Sequence, residues 1–246
     1  MSDRPRYAGL YAAIAALAAV LISPLLAMSY FATSDGAEQL ENGSVSAWAD
    51  PGRDLVGGLL DWASADRVYS TYLQAFALLF PAVFLCARAV RARRPGDVRG
   101  SEQWGWRIAL VGYGLTSLGL VAAFFVLFSG DAASVALNVV FLGLLVPGML
   151  ISVIGSTVLG IALLRSRFSP KLTAWLLTLS LPSMLVIPSV LGHNSLGLLP
   201  MIVAWGAAGF QLWRGTVHAA AAVSGELSAA VAGHGETQLC FAPGLQ

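Results

Sequence analysis

The sequence predicts an all-α fold, a polytopic membrane bundle of six transmembrane helices with a short amphipathic helix on its outer side. Three observations carry that prediction. Of 246 residues, 57% are hydrophobic and only 11% charged, where soluble domains carry charge on about a quarter of their residues. Uncharged apolar runs near the roughly 20 residues needed to cross a bilayer recur six times. Twelve of the fourteen Lys and Arg residues fall on one alternating set of flanks around those runs. The formal net charge of +1 offers no field for nucleic acid, and the apolar content excludes a disordered chain.

The spans read in order as 7–31, 68–87, 108–128, 135–164, 172–191 and 196–213, and none contains Asp, Glu, Lys, Arg or His. The first follows Arg4 and Arg6 and exceeds the roughly 7 to 15 apolar residues of a secretory signal, so it is expected to be retained as an anchor. The fourth is long enough to tilt or kink. The last two are separated only by 192–195, so a tight turn and an antiparallel hairpin are expected there.

Between the first two spans lies the outer segment 33–67. Its second half opens on Asp50-Pro51, an acid before a proline at a first helical position, and then places Leu55, Val56, Leu59, Leu60 and Ala63 on one face. Residues 51–63 are therefore expected to form an amphipathic helix that lies on the outer leaflet or caps the bundle, with a ligand lid or partner dock as the sharper reading. The loop 88–107 continues the second span until Pro95-Gly96 ends it. Its Arg cluster would attract anionic lipid at about 1 kcal/mol per basic side chain, although topology alone accounts for it. The six-span domain is taken as 1–214, followed by an Ala- and Gly-rich tail, 215–246, with a short helix expected through Ala230.

Orientation follows from the basic residues near span ends. One set of flanks holds Arg4, Arg6, Arg88, Arg91, Arg93, Arg94, Arg99, Arg107, Arg165, Arg167, Lys171 and Arg214, and the other only Arg53 and Arg67. Both termini are therefore expected in the cytoplasm; the preference for Arg over Lys, with the Ala and Gly content, suggests a GC-rich bacterial gene, and the expected location is the bacterial inner membrane. Tyr7, Tyr11, Trp104, Trp106, Trp175 and Trp213 fall at the inner boundary, and Tyr30, Trp62, Tyr69 and Tyr72 at the outer one.

Intramembrane polar residues are the default pointers to function. Gln74 and Asn138 are the strongest here, either bonded to a neighbouring helix or lining a small polar cavity. His193 and Asn194, in the outer turn, are candidate ligand contacts, although His193-Asn194-Ser195 lacks a neighbouring acid and reads first as a polar turn. Gly148, Ser152, Ser156 and Gly160 repeat every four residues along the fourth span, a spacing that lets helices approach closely in lipid. Pro24, Pro81, Pro147, Pro182, Pro188 and Pro200 lie in or beside spans and are expected to kink them, with Pro147-Gly148 and Pro182 to Pro188 as candidate unwound segments.

The chemistry is sparse. No carboxylate lies within a span, which weighs against a proton-coupled carrier. Ser156 has no following glycine and no histidine in the sixth span, so an intramembrane serine protease is not supported. His193, His218 and His234 lie outside the spans, where none would ligate a haem within the bundle. Cys86 and Cys240 form no Cys-x-x-Cys pair. No metal or cofactor is expected.

The stretch Leu60-Asp61-Trp62-Ala63-Ser64-Ala65-Asp66-Arg67-Val68-Tyr69, the run from Gly155 through Arg165 leading to Ser169-Pro170, and the ending Gly209-Phe210-Gln211-Leu212-Trp213-Arg214 resemble a family of bacterial six-span integral membrane proteins with no assigned activity. The resemblance covers nearly the whole chain and implies the architecture alone. The function expected is that of a non-enzymatic accessory or scaffold module packing against a membrane partner or a second copy, in contact with anionic lipid at the cytoplasmic face. The alternative is a carrier or binder of an apolar or lipid-like solute, and an enzyme ranks third.

Overall fold

The computed structural model describes residues 4–94, 100–127, 139–166 and 168–216. Among them the fold is all-helical: α1 (Arg4–Phe31), α2 (Gly43–Leu60), α3 (Ala65–Ala77), α4 (Leu79–Arg93), α5 (Ser101–Val121), α6 (Val146–Arg165), α7 (Lys171–Thr178), α8 (Ser180–Leu191), α9 (Asn194–Gly197) and α10 (Leu199–Arg214). A 3₁₀ turn, Ala37–Glu41, precedes α2, and π-helical stretches cover Ala122–Leu127 and Phe141–Leu145.

Four segments are long and apolar enough to cross a membrane: Pro5–Phe31, Ala65–Arg93, Ser101–Phe125 and Phe141–Arg165. A fifth results if α7 and α8, bent by 56° at their junction, count as one. The sixth expected span differs, because the chain turns at Leu198 and leaves α10 at 16 residues. Prolines explain these interruptions. The breaks at Leu78, Leu179 and Leu198 come just before Pro81, Pro182 and Pro200, whose missing N–H and ring clash disrupt the preceding turn.

Side chains take up backbone groups at two of the breaks. Tyr11 Oη donates to the Leu78 carbonyl at 2.7 Å, and the Leu181 N–H donates to Thr157 Oγ1 at 3.0 Å. Such substitutions are how a broken helix is tolerated where water is scarce.

The helix expected over 51–63 is longer and starts earlier. Asn42 caps it, its side chain accepting from Ser44 N at 3.1 Å, so Asp50 and Pro51 fall in mid-helix. The helix ends before Ala63, and Val56 departs from helical geometry at φ −113° and ψ 18°. Its buried positions are Val45, Ala49 and Leu60, whereas Leu55 is 86% exposed. The face expected to be apolar thus divides: its Leu60 end packs with Met28 and Val68, and Leu55 points outward.

Two pairings dominate the core, α5 on α6 and α1 on α10, bridged by α4 and α7. Glycine makes the first possible. A Cβ on Gly112 would collide with the Ser152 amide, and one on Gly155 would stand 2.6 Å from the Ala109 amide. The second pairing is antiparallel: a Cβ on Gly9 would meet Gly209, and one on Gly206 would meet Ala16. The start of α1 and the end of α10 therefore come together, and the Arg6 guanidinium lies beside Gly215.

Candidate functional site

Two buried polar clusters are candidates. The first lies between α5, α6 and α10. Trp205 Nε1 donates to Tyr113 Oη at 3.0 Å, Tyr113 Oη lies 2.5 Å from Ser156 Oγ, and Ser156 Oγ donates to the Ser152 carbonyl at 2.6 Å. A hydroxyl carries one proton. The Ser156 proton is committed to the carbonyl, so Tyr113 donates to Ser156, and the chain runs in one direction from Trp205 to Ser152. Thr116 Oγ1 and Ser152 Oγ pair alongside at 3.0 Å. Tyr113, Thr116, Ser152, Ser156 and Trp205 are all fully buried.

The Trp205 ring continues the cluster toward the basic end. It packs 5.9 Å from Trp106, whose Nε1 donates to Glu102 Oε1 at 3.2 Å. Arg94 closes on the same oxygen with Nε at 3.1 Å and Nη2 at 2.6 Å, and it reaches Ser166 Oγ at 3.0 Å. The result is a latch joining the end of α4, the start of α5 and the end of α6.

The second cluster lies at the opposite end of the bundle. His193 precedes α9 and caps it, with Nδ1 accepting from the Ser195 N–H at 3.2 Å. This acceptor role places the ring proton of the neutral form on Nε2. Ser195 Oγ stands 2.7 Å from Nδ1 and 3.1 Å from the Ser23 carbonyl, two acceptors that share its single proton. Tyr30 and Phe31 face the imidazole at 5.2 and 6.5 Å, and Trp48 of α2 packs edge-on against Phe31 at 5.9 Å. Burial pushes the His193 pKa down to about 4. Gly192 makes the turn with φ +77°, and any Cβ there would press on Val45 and Phe31. Two buried polar atoms of this end, Ser23 Oγ and Trp48 Nε1, have no hydrogen-bond partner among the described residues.

The residues singled out from sequence are not brought to one place. Gln74 Nε2 donates to the Phe124 carbonyl at 3.1 Å, within the first π-helical stretch. Asn138 lies outside the described residues, as do His218, His234 and Cys240. His193 sits in the second cluster, and the adjoining Asn194 is exposed. Gly148, Ser152, Ser156 and Gly160 are buried inside this chain: Gly148 lies against Leu115 and Thr116 of α5, and Gly160 against Thr178 of α7. The stripe is thus taken up by close contacts with α5 and α7 of this chain, and a partner would have to meet other faces.

Sequence reasoning passed over Tyr113, Trp205 and Glu102, and it read Trp106 and Arg94 only as boundary residues. A signal was available for one of them. Trp205 falls in the middle of the sixth expected span, away from the headgroup layer where amphipathic rings normally sit, and a buried indole usually finds a hydrogen-bond partner. Among the described residues no group of three or more His, Cys, Asp or Glu is arranged to hold a metal.

Comparison with protein-family models, with curated proteins and with solved structures finds no match for this chain. The functional reading rests on the geometry above.

Proposed function

We propose that this chain is a non-enzymatic, multi-pass protein of the bacterial inner membrane, an accessory or scaffold module that packs against a membrane partner. The supporting observation is the cluster around Tyr113: the hydroxyls of Ser152, Ser156 and Thr116 are buried and bonded within the chain. The serine nearest to a catalytic arrangement is spent on joining helices. A partner would meet the outward apolar faces, such as Leu150 and Ile154 of α6 and Leu185 and Val186 of α8, all exposed.

The topology belongs to the same proposal. The six spans are α1, α3 with α4, α5, α6 with its π-helical lead-in, α7 with α8, and α9 with α10, and α2 lies at the outer surface. The contacts at the two ends support this order. Arg6 beside Gly215 and Arg94 beside Ser166 gather the basic flanks at one end. Tyr30 beside His193, and Ser44 Oγ donating to the Val190 carbonyl at 2.9 Å, gather the other flanks opposite. The positive-inside rule then puts the first end in the cytoplasm. The resemblance to the bacterial six-span family agrees with this arrangement.

A reporter fused after Gln246 is expected to be active only in its cytoplasmic form, and a cysteine at Ser44 is expected to label from outside intact spheroplasts. Periplasmic reporter activity would overturn the topology. Purification from native membranes is expected to recover a membrane protein in fixed stoichiometry. Recovery of the chain with lipid alone would instead favour a binder of lipid-like solutes, a second reading supported by an apolar groove between α1 and α10.

A further inference from the structure

We infer that the groove between α1 and α10 is a binding site for one anionic phospholipid of the cytoplasmic leaflet, whose acyl chain lies in the groove and whose phosphate is held by Arg6 and Arg214. This inference rests on the bilayer topology proposed above and deepens its lipid-binding reading.

The groove encloses about 390 Å³, within the range of small-molecule pockets. Ala13, Leu17 and Val20 form one wall, and Val203, Ala207 and Phe210 the other. Its floor is where Gly206 meets Ala16, an approach so close that no side chain fills the space above it. Leu17 is 73% exposed and Val20 52%. The groove is therefore open along its length to whatever surrounds the bundle.

Charge at one end selects the occupant. On α1, Arg6 shares a helical face with Ala13, Leu17 and Val20, and on α10 Arg214 shares one with Val203, Ala207 and Phe210. Each wall thus ends in an arginine. The Arg214 guanidinium lies 4.4 Å from the centroid of the Phe210 ring, so a residue that lines the groove also carries the charge at its mouth. Arg6 reaches the residue that follows Arg214, its Nη2 standing 3.7 Å from the place a Cβ of Gly215 would take. Both arginines are exposed, neither helix contains an acidic residue, and the ion pair found among the described residues is Arg94 with Glu102.

Depth agrees with a lipid of one leaflet. From Arg6 to Val20 the helix rises about 21 Å, close to half of the roughly 40 to 45 Å of a bilayer with its headgroups. Two arginines at headgroup level above an apolar trough are complementary to a phosphate esterified to an acyl chain. A second copy fits less well. Membrane insertion gives every copy the same orientation, so it would bring its own basic end against Arg6 and Arg214.

The test uses the full chain in mild detergent, with native mass spectrometry to count retained lipid after titration with phosphatidylglycerol or phosphatidylcholine. The wild type is expected to retain one phosphatidylglycerol in preference to phosphatidylcholine. Arg6→Gln with Arg214→Gln, both at exposed positions, is expected to weaken phosphatidylglycerol retention roughly 25-fold, from two near-surface basic side chains. Ala207→Phe, which fills the groove, is expected to abolish retention of both lipids. Arg88→Gln with Arg91→Gln is the control, since these arginines belong to the general basic face.

An unchanged preference in the Arg6/Arg214 variant, or unchanged retention in Ala207→Phe, would overturn the site. If the Arg88/Arg91 control alone lost the preference, the site would fall and the general anionic-lipid reading would stand. Loss of preference in no variant would sink both. A dimer that Ala207→Phe dissociates, or retention that appears only after deletion of residues 217–246, would give the groove to a second copy or to the chain's own tail and equally overturn the proposal.

Discussion

The seam between α5 and α6 and the end of the bundle where α2 meets the His193 turn both hold buried polar atoms, yet they treat them in opposite ways. In the seam the proton of Ser156 has a definite acceptor and the indole N–H of Trp205 a definite partner. At the cap end, Ser23 Oγ and Trp48 Nε1 are buried without partners among the described residues, and a histidine is held neutral. A closed directional network fixes how helices join, because each unmade bond would cost about 1–3 kcal/mol. A cap that leaves two polar atoms unpaired among the described residues bears that cost already.

The largest expected effect comes from prying the seam apart. Gly112→Val would drive a branched side chain into the Ser152 backbone, which cannot yield as a flexible side-chain tip would. Thermal melting in detergent is expected to fall by the equivalent of at least ~3 kcal/mol, the upper part of the overpacking range. Gly58→Val in α2, where a Cβ meets nothing within 4 Å, is the contrasting substitution and is expected to change little. Equal losses at the two positions would erase the comparison.

Removing one atom from the seam comes next. Tyr113→Phe keeps the ring but leaves the Trp205 N–H without its acceptor and Ser156 without its donor. A loss of about 2 kcal/mol is expected, accompanied by a shift in tryptophan emission, because Trp205 loses its bond to oxygen. An unaltered spectrum with unaltered stability would show that the directional chain from Trp205 to Ser152 does not hold the seam.

Much of this contrast was legible in the sequence, but unevenly. Apolar runs and prolines predict helices and breaks because both act within a turn or two of themselves, and Pro81, Pro182 and Pro200 do what a missing N–H requires. Pro24 and Pro188, by contrast, lie inside helices, and the stretch from Pro182 to Pro188, expected as a candidate unwound segment, is helical. The repeat of Gly148, Ser152, Ser156 and Gly160 points to a close helix contact, but no local rule says whether the other helix belongs to the same chain. Here it does. Tyr113 and Trp205 were hidden because a hydropathy count treats their rings as apolar, and their polar atoms matter only when a helix 92 residues away supplies the partner. The start of α2 was misread because Asp50-Pro51 resembles a cap, whereas the Asn42 side chain supplies the actual one.

In the cap, acid is the sharper probe. His193 has a pKa of about 4 in the folded chain against an ordinary value of 6.5, so between these limits the unfolded form binds the proton that the folded form refuses. Stability from this site is therefore fully present above about pH 6.5 and is lost as pH falls toward and through 4. Protonation would also place a hydrogen on Nδ1 facing the Ser195 N–H. Hydrogen exchange in α2 and α9 is expected to speed up at pH 5, by the equivalent of about 1 kcal/mol given the half-buried ring, while the α5–α6 seam keeps its protection. His193→Gln is expected to flatten that pH dependence, and a cap equally protected at pH 5 and 7 would contradict it.

The smallest effect separates an idle orphan from one that holds something. Trp48→Phe removes the unpaired N–H while keeping a ring to meet Phe31. Deleting a buried donor that has no acceptor recovers its desolvation cost, offset by the smaller ring's lost packing. The expected change is therefore within about 1 kcal/mol of zero, in either direction. Ser23→Ala, which removes the other unpaired atom, is expected to behave alike, and the pair should be additive if the two atoms are independent. A loss well beyond that range in both variants, with departure from additivity in the double variant, would mean that Ser23 and Trp48 share a bound water or solute. The cap would then no longer be the incompletely paired counterpart of the seam but a second closed network, completed by a molecule other than the protein.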